Sequence, residues 1–196
     1  MYPTKVTFKH QKSSSRWWAL FTIIPVKMLA LIPSFVALYV LQLLATVAAL
    51  LGIVGVLFTG KYLVSVETFI IGVMRWQWRV GAFLGCLTDK YPPFTLKAGG
   101  YPADLSFKHQ KSSSRYWALL TIIPVKLVLL IPHIIVMMVL GLIADVCFLL
   151  GPFFVLFTGK YPKAFEKWIV RAFSYMFRVN TYVMCLTDKY PPISWE

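Results

Sequence analysis

An aspartate in the middle of an otherwise uncharged stretch is the residue of this sequence best placed to do chemistry. Asp145 lies within the apolar run from His133 to Phe157, and an acid at such a position is a candidate for a proton or cation path through lipid. The residues that could join it in an intramembrane polar site are His133, Lys126 and Lys27. His133 lies twelve residues away, about 18 Å along a helix, so it is not a direct partner. The plainer reading is a hydrogen bond or ion pair from Asp145 to a neighbouring helix, with Lys27 or Lys126 as the cation.

Other reactive types are present without the spacing that chemistry needs. His10 and His109 stand in basic, serine-rich segments, where solvated surface is a simpler account than metal ligation. Neither serine run, Ser13 to Ser15 or Ser112 to Ser114, has a His/Asp arrangement that would make a nucleophile, and no glycine-rich phosphate loop occurs. Cys86, Cys147 and Cys185 lack zinc spacing, and their odd number argues against a disulfide framework. Cys86 and Cys185 read as small packing residues or, alternatively, as acylation sites at a membrane surface. Catalysis has no address in the sequence, which calls for no cofactor and no metal.

Composition says what must hold these residues. The chain is 59% hydrophobic, 16% aromatic and 14% charged, with a mean hydropathy of +0.71. That leaves too little polar surface to coat a soluble globule, and makes lipid the expected solvent. Lys and Arg number 20 against 7 Asp and Glu, a formal charge of +13. In a membrane protein such an excess belongs in cytoplasmic segments facing anionic headgroups. Nucleic acid is not the expected partner, because no groove-reading or stacking motif accompanies the charge.

The chain is a tandem duplication. Phe8 to Arg16 recurs as Phe107 to Arg115, Val56 to Tyr62 as Val155 to Tyr161, and Cys86 to Pro93 as Cys185 to Pro192, all at an offset of 99 without a gap. Two units follow, 1–98 and 99–196, joined near Gly99-Gly100. The basic lead into an apolar run near the N-terminus resembles a signal peptide, but its recurrence mid-chain assigns it to the mature fold.

Each unit reads as a hydrophobic helical hairpin followed by an amphipathic interfacial helix, giving an all-α integral membrane protein. Ser34 to Phe58 holds no charge over 25 positions, enough to span a hydrocarbon core of about 30 Å. The Leu, Ile, Val and Phe residues around Asp145 outweigh its insertion cost of about 3 kcal/mol. Before each long run lies a shorter one, Trp17 to Ile32 or Tyr116 to Ile131, interrupted at Pro25 or Pro124 and closed at Pro33 or Pro132. A hairpin turn at Pro33 and Pro132 would leave every basic segment on one face of the membrane, as the positive-inside tendency asks. Whether the first arm spans or only dips into the membrane is open.

From Phe165 to Leu186 apolar residues recur at three and four positions, with Arg171 and Arg178 on the other side. The first unit has Arg75 and Arg79 among Trp76 and Trp78. Together with Arg16 and Arg115 these arginines are expected to contact lipid headgroups. The paired prolines after Leu-Thr-Asp-Lys-Tyr read as a structural stop, and Leu105 to Phe107 carries a weak strand signal.

The motifs Leu57-Phe58-Thr59-Gly60-Lys61-Tyr62 and Leu87-Thr88-Asp89-Lys90-Tyr91-Pro92-Pro93-Phe94 resemble those of a prokaryotic membrane-protein family of unknown function, here in two copies. This sequence departs from the family pattern at Leu63, Ser34 and Ile193. The resemblance implies a bacterial cytoplasmic membrane, with the basic segments on the cytoplasmic side, and implies no activity. The expected role is a structural protein, an accessory or scaffold subunit that packs against other membrane subunits or its own copies. The alternative is a small transporter or channel component with a pseudo-symmetric path lined by Asp145. A lipid-modifying enzyme is the least supported reading, for want of paired carboxylates or a His cluster.

Overall fold

Prolines set the first helix boundaries. Ile24 and Ile123 each precede a proline, which disfavours helical backbone, and both are extended, at φ −89°, ψ 106° and φ −85°, ψ 101°. The computed structural model describes residues 2–24, 26–123 and 125–193; Pro25 and Pro124 themselves lie outside the described residues. In chain order the elements are β1 (Thr4–Phe8), α1 (Arg16–Ile23), α2 (Val26–Thr59), α3 (Val64–Leu84), β2 (Ala103–Phe107), α4 (Arg115–Ile122), α5 (Val125–Leu129), α6 (Ile131–Thr158) and α7 (Lys163–Val183). The chain is mostly helical, in two repeated units, but the all-α expectation needs one correction. β1 and β2 form an antiparallel pair with Val6 opposite Leu105. The strand signal at Leu105 to Phe107 belongs to β2. Its partner β1 comes from the other unit, a pairing too distant in sequence for local pattern to reveal.

The expected hairpin turns at Pro33 and Pro132 do not form. α2 runs through Pro33 as one helix of 34 residues, and Pro132 falls in the first turn of α6, where its missing N–H removes no helical bond. Beside each proline a tyrosine hydroxyl donates to a helix carbonyl: Tyr91 to Ala30 at 3.1 Å and Tyr190 to Leu129 at 2.8 Å. The hairpins that do form are α2 with α3 and α6 with α7, each a long apolar helix folded back on a more polar one.

The Phe-Thr-Gly-Lys-Tyr motif makes the hairpin turn. Gly60 and Gly159 adopt left-handed backbone, φ 70° and 71°, which ends the long helix. Two residues on, Tyr62 and Tyr161 fold against Gly52 and Gly151, where a Cβ would stand 2.4 Å from the tyrosine. The Leu-Thr-Asp-Lys-Tyr-Pro-Pro motif is more than a stop. Asp89 accepts from Gln11 Nε2 at 2.5 Å and the Ser15 amide at 2.9 Å, while its own amide donates to Gln11 at 3.1 Å. Asp188 repeats the set with Gln110 and Ser114. The aspartate thus fastens the serine-rich segment that leads into α1 or α4.

The two units interlock. β1 lies on α7 and β2 on α3, while α1 packs on α6 and α4 on α2. The Ser14 amide donates to the Gly159 carbonyl and the Ser113 amide to the Gly60 carbonyl, both at 2.9 Å. His10 Nδ1 meets Glu166 at 2.5 Å and His109 Nδ1 meets Glu67 at 2.7 Å. Each unit's first segment is therefore an arm across the other.

Replacing Asp89 or Asp188 by Ala leaves buried amide donors without acceptors, and each change should lower stability by about 1–3 kcal/mol. Thermal unfolding in detergent micelles reads this, and unchanged midpoints would deny the aspartate its role. Gly52→Ala and Gly151→Ala force a methyl into the tyrosine ring and should cost about 1–3 kcal/mol by overpacking. The same melts check it, with Gly141→Ala as the neutral comparison, because nothing stands within 4 Å there.

Candidate membrane interface

The helices are stacked by polarity. α2 and α6 bury one stripe each, through Leu31, Ala45, Ile53 and Val56 in α2 and Leu140, Ala144 and Val155 in α6. Their opposite faces are apolar and exposed along the whole length, from Leu29 at 64% through Tyr39 at 69% to Phe58 at 79% in α2. In α6 the same stripe includes Met138 at 70%, Leu142 at 67% and Phe157 at 77%. Trp17 and Phe21 of α1 and Tyr116 and Leu119 of α4 continue this face. Both long helices are apolar and long enough to cross a membrane. On the far side, beyond α3 and α7, Lys5 and Thr7 of β1 and Ser106 of β2 face outward from the sheet.

The arginines of α3 do not face lipid. Arg79 is 0% exposed and donates to the carbonyls of Thr95, Lys97, Gly99 and Ala103. Arg75 donates to Leu96 and Leu105 carbonyls and pairs with Asp104 at 2.7 Å. The expected headgroup contact at these two residues is therefore corrected: the segment after Pro93 doubles back over α3 and supplies carbonyl acceptors that a phosphate would otherwise provide. Burial lowers the Arg79 pKa from its ordinary value, and the Asp104 carboxylate opposes that shift. α3 is consequently an inner helix and not an interfacial one.

The remaining arginines stand nearer solvent. Arg16 and Arg115 are exposed at the ends of the long helices, beside Gly159 and Gly60, and Arg115 donates to the Phe58 carbonyl at 3.2 Å. Arg171 stacks on the Trp168 ring at 5.0 Å. With Arg178 and Lys167 it lines a cleft of about 810 Å³ between β1 and α7.

The polar residues of the apolar stretches are not brought together. Lys27 is buried over the Phe83 ring at 4.2 Å, with Cys86 Sγ at 3.4 Å. Lys126 lies over the Tyr182 ring at 4.0 Å and donates to the Tyr182 carbonyl at 2.5 Å and toward Cys185 Sγ at 3.4 Å. Lys126 thus caps the C-terminal end of α7, and Lys27 lies at the same end of α3, where Cys185 and Cys86 take positive φ of 57° and 60°. Both cysteines are 1% exposed, which removes them as surface acylation sites. His133 is buried and its Nδ1 meets the Tyr175 hydroxyl at 2.5 Å.

Asp145 is the exception to this economy. It is exposed on the apolar stripe of α6, and neither lysine nor His133 pairs with it. Among the described residues the other acids are all engaged: Glu67 and Glu166 by histidines, Asp89 and Asp188 by glutamines and amides, Asp104 by Arg75. Among the described residues, Asp145 alone has no such partner. The histidine–glutamate cross-links were not legible from motifs, although one signal existed: Glu67 and Glu166 are equivalent positions in the repeat, as are His10 and His109.

Comparison with known proteins adds the family. No match is found among curated proteins or solved structures. One family model, described as a domain of unknown function (DUF4389), matches residues 24–95 and again residues 123–194. The arms that exchange between units precede each match. With both copies matched over well more than half its length, the chain belongs to the DUF4389 family, carrying its domain twice in tandem.

Proposed function

We infer that the protein is a non-catalytic membrane structural protein, an accessory or scaffold subunit of a larger membrane complex. The observation that carries the reading is the continuous exposed apolar face of α1, α2, α4 and α6, opposite a polar sheet. An apolar surface of that extent marks contact with lipid or another membrane protein. Arg16 and Arg115, with Lys61 and Lys160, rim this face and suit anionic headgroups. Arg171 and Arg178 are the further candidates for such contacts. The resemblance in sequence motifs favours a bacterial cytoplasmic membrane with the basic rim toward the cytoplasm.

Asp145 supports the subunit role. An unpaired carboxylate among exposed leucines and valines is costly in hydrocarbon, and a basic side chain from a neighbouring helix would relieve that cost. The transporter alternative finds no support in its position, because Asp145 is exposed and pairs with none of Lys27, Lys126 and His133. His10 and His109 are occupied by Glu166 and Glu67 across the units, and Asp89 and Asp188 by glutamine and backbone donors of their own units.

Washing membranes at alkaline pH should leave the protein in the pellet, and its release into the supernatant would end the membrane reading. Purification in mild detergent, followed by mass spectrometry, should find partner polypeptides at fixed stoichiometry. Asp145→Leu should reduce that recovery several-fold while changing the stability read from thermal unfolding by no more than about 0.5 kcal/mol. Migration alone, or as a homo-oligomer, would sink the accessory-subunit role.

A further inference from the structure

We propose that α2 and α6 lie in the plane of one membrane leaflet and do not cross the bilayer, making the protein a one-sided wedge with its sheet in water. This rests on the membrane reading above and adds how the protein sits in lipid.

The first ground is the position of the sheet. α3 runs back along nearly the whole of α2: Lys27 meets Cys86, Leu31 packs with Val80 and Phe83, Ala45 faces Ile70 and Met74, and Gly52 meets Tyr62. The sheet lies against the middle of α3, where Trp78 donates to the Thr7 carbonyl and Arg79 reaches Ala103. Upright helices would therefore hold Lys5, Thr7 and Ser106 near mid-bilayer, facing hydrocarbon. A lysine there costs about 2.5–3.5 kcal/mol. Flat helices put the same residues in water.

The second ground is where the charges gather. The Ser14–Gly159 bond places the start of α1 at the end of α6, and α1, 8 residues or about 12 Å long, leads to the start of α2. Ser113, Gly60 and α4 do the same at the other end. The long helices thus run in opposed senses, with Lys9, Lys12, Arg16 and Lys160 at one end and Lys108, Lys111, Arg115 and Lys61 at the other. Upright helices would divide these clusters between the two sides of the membrane, against the positive-inside tendency. Flat helices keep both in one headgroup layer.

The third ground is length and depth. α2 has 34 residues, about 51 Å of helix against a hydrocarbon core of about 30 Å, and its exposed face is apolar to both ends. Half-way along are Gln42 and Thr46, and on α6 Asp145, all exposed. Spanning would set these at the bilayer centre. A helix lying in the interface buries its apolar face by only about 5–10 Å.

Lys12→Cys and Lys111→Cys, made separately, place an exposed thiol in each basic cluster; the native cysteines are buried at 1%, 4% and 1% exposure. In sealed vesicles of one orientation, a membrane-impermeant maleimide should label both variants from the same side and neither from the other. Labelling from opposite sides would overturn the proposal. Spin labels at Leu29→Cys, Leu43→Cys and Phe58→Cys should report one shallow depth, whereas a maximum at position 43 would mean a crossing helix. Alkaline release of the protein would overturn the membrane reading itself, whereas firm retention with thiols on opposite sides would overturn only the in-plane arrangement.

Discussion

Each unit of this protein is completed by the other, and that exchange is the constraint on which the rest depends. The hairpin of α2 and α3 covers one side of α3 only; the other side is covered by β2, which belongs to the second unit, as β1 covers α7. The exchange is locked at both ends of each arm. Glu67 and Glu166 accept from histidines of the opposite arm, and the helix-ending glycines Gly60 and Gly159 accept at their carbonyls from opposite serine amides. A unit alone would leave those carboxylates and carbonyls without partners, together with the apolar surface of Ala19 or Ala118, both 0% exposed. Two copies in one chain are the arrangement that a symmetric dimer of single units would have to reproduce.

The two halves are not equivalent where they meet solvent. The segment joining them folds over α3, and its carbonyls hold Arg75 and Arg79. The equivalent positions on α7 are Ser174 and Arg178. Gly72, whose missing side chain admits Leu96, is matched by Arg171. Duplication therefore supplied a linker that buries one copy's basic face, and the second copy kept a face of different chemistry.

Much of this was legible in the sequence, and the reasons for the failures are physical. The repeat, the long apolar helices and the amphipathic α7 follow from spacing within single elements. The turn at Pro33 was misread because an apolar run interrupted by proline is compatible with a kink as well as a turn. The Ala30 carbonyl beside the proline is taken up by the Tyr91 hydroxyl, 61 residues away, a partner that no local pattern shows. Arg75 and Arg79 were misplaced for the same reason: periodicity shows which side of a helix is polar, but not that a later segment supplies its acceptors. Asp145 was found because its oddity is local. The pairing of His10 with Glu166 was not, because the partner lies 156 residues on.

The two motifs repeated in this chain are thereby explained as a description of architecture. The Phe-Thr-Gly-Lys-Tyr turn seats a tyrosine on a helical glycine, and the Leu-Thr-Asp-Lys-Tyr motif fastens an arm and bonds the long helix beside its proline. The tyrosines, glycines and aspartates of these motifs are thus occupied within the fold, while Phe58, Lys61 and Lys160 face outward. Among the positions where the copies differ in polar chemistry are Asp145 against Thr46, His133 against Ser34 and Arg171 against Gly72. Of these, His133 is buried against Tyr175 and Arg171 is stacked on Trp168. Asp145 is the one of the three that is exposed with no partner among the described residues, and so it is the difference that a partner can read.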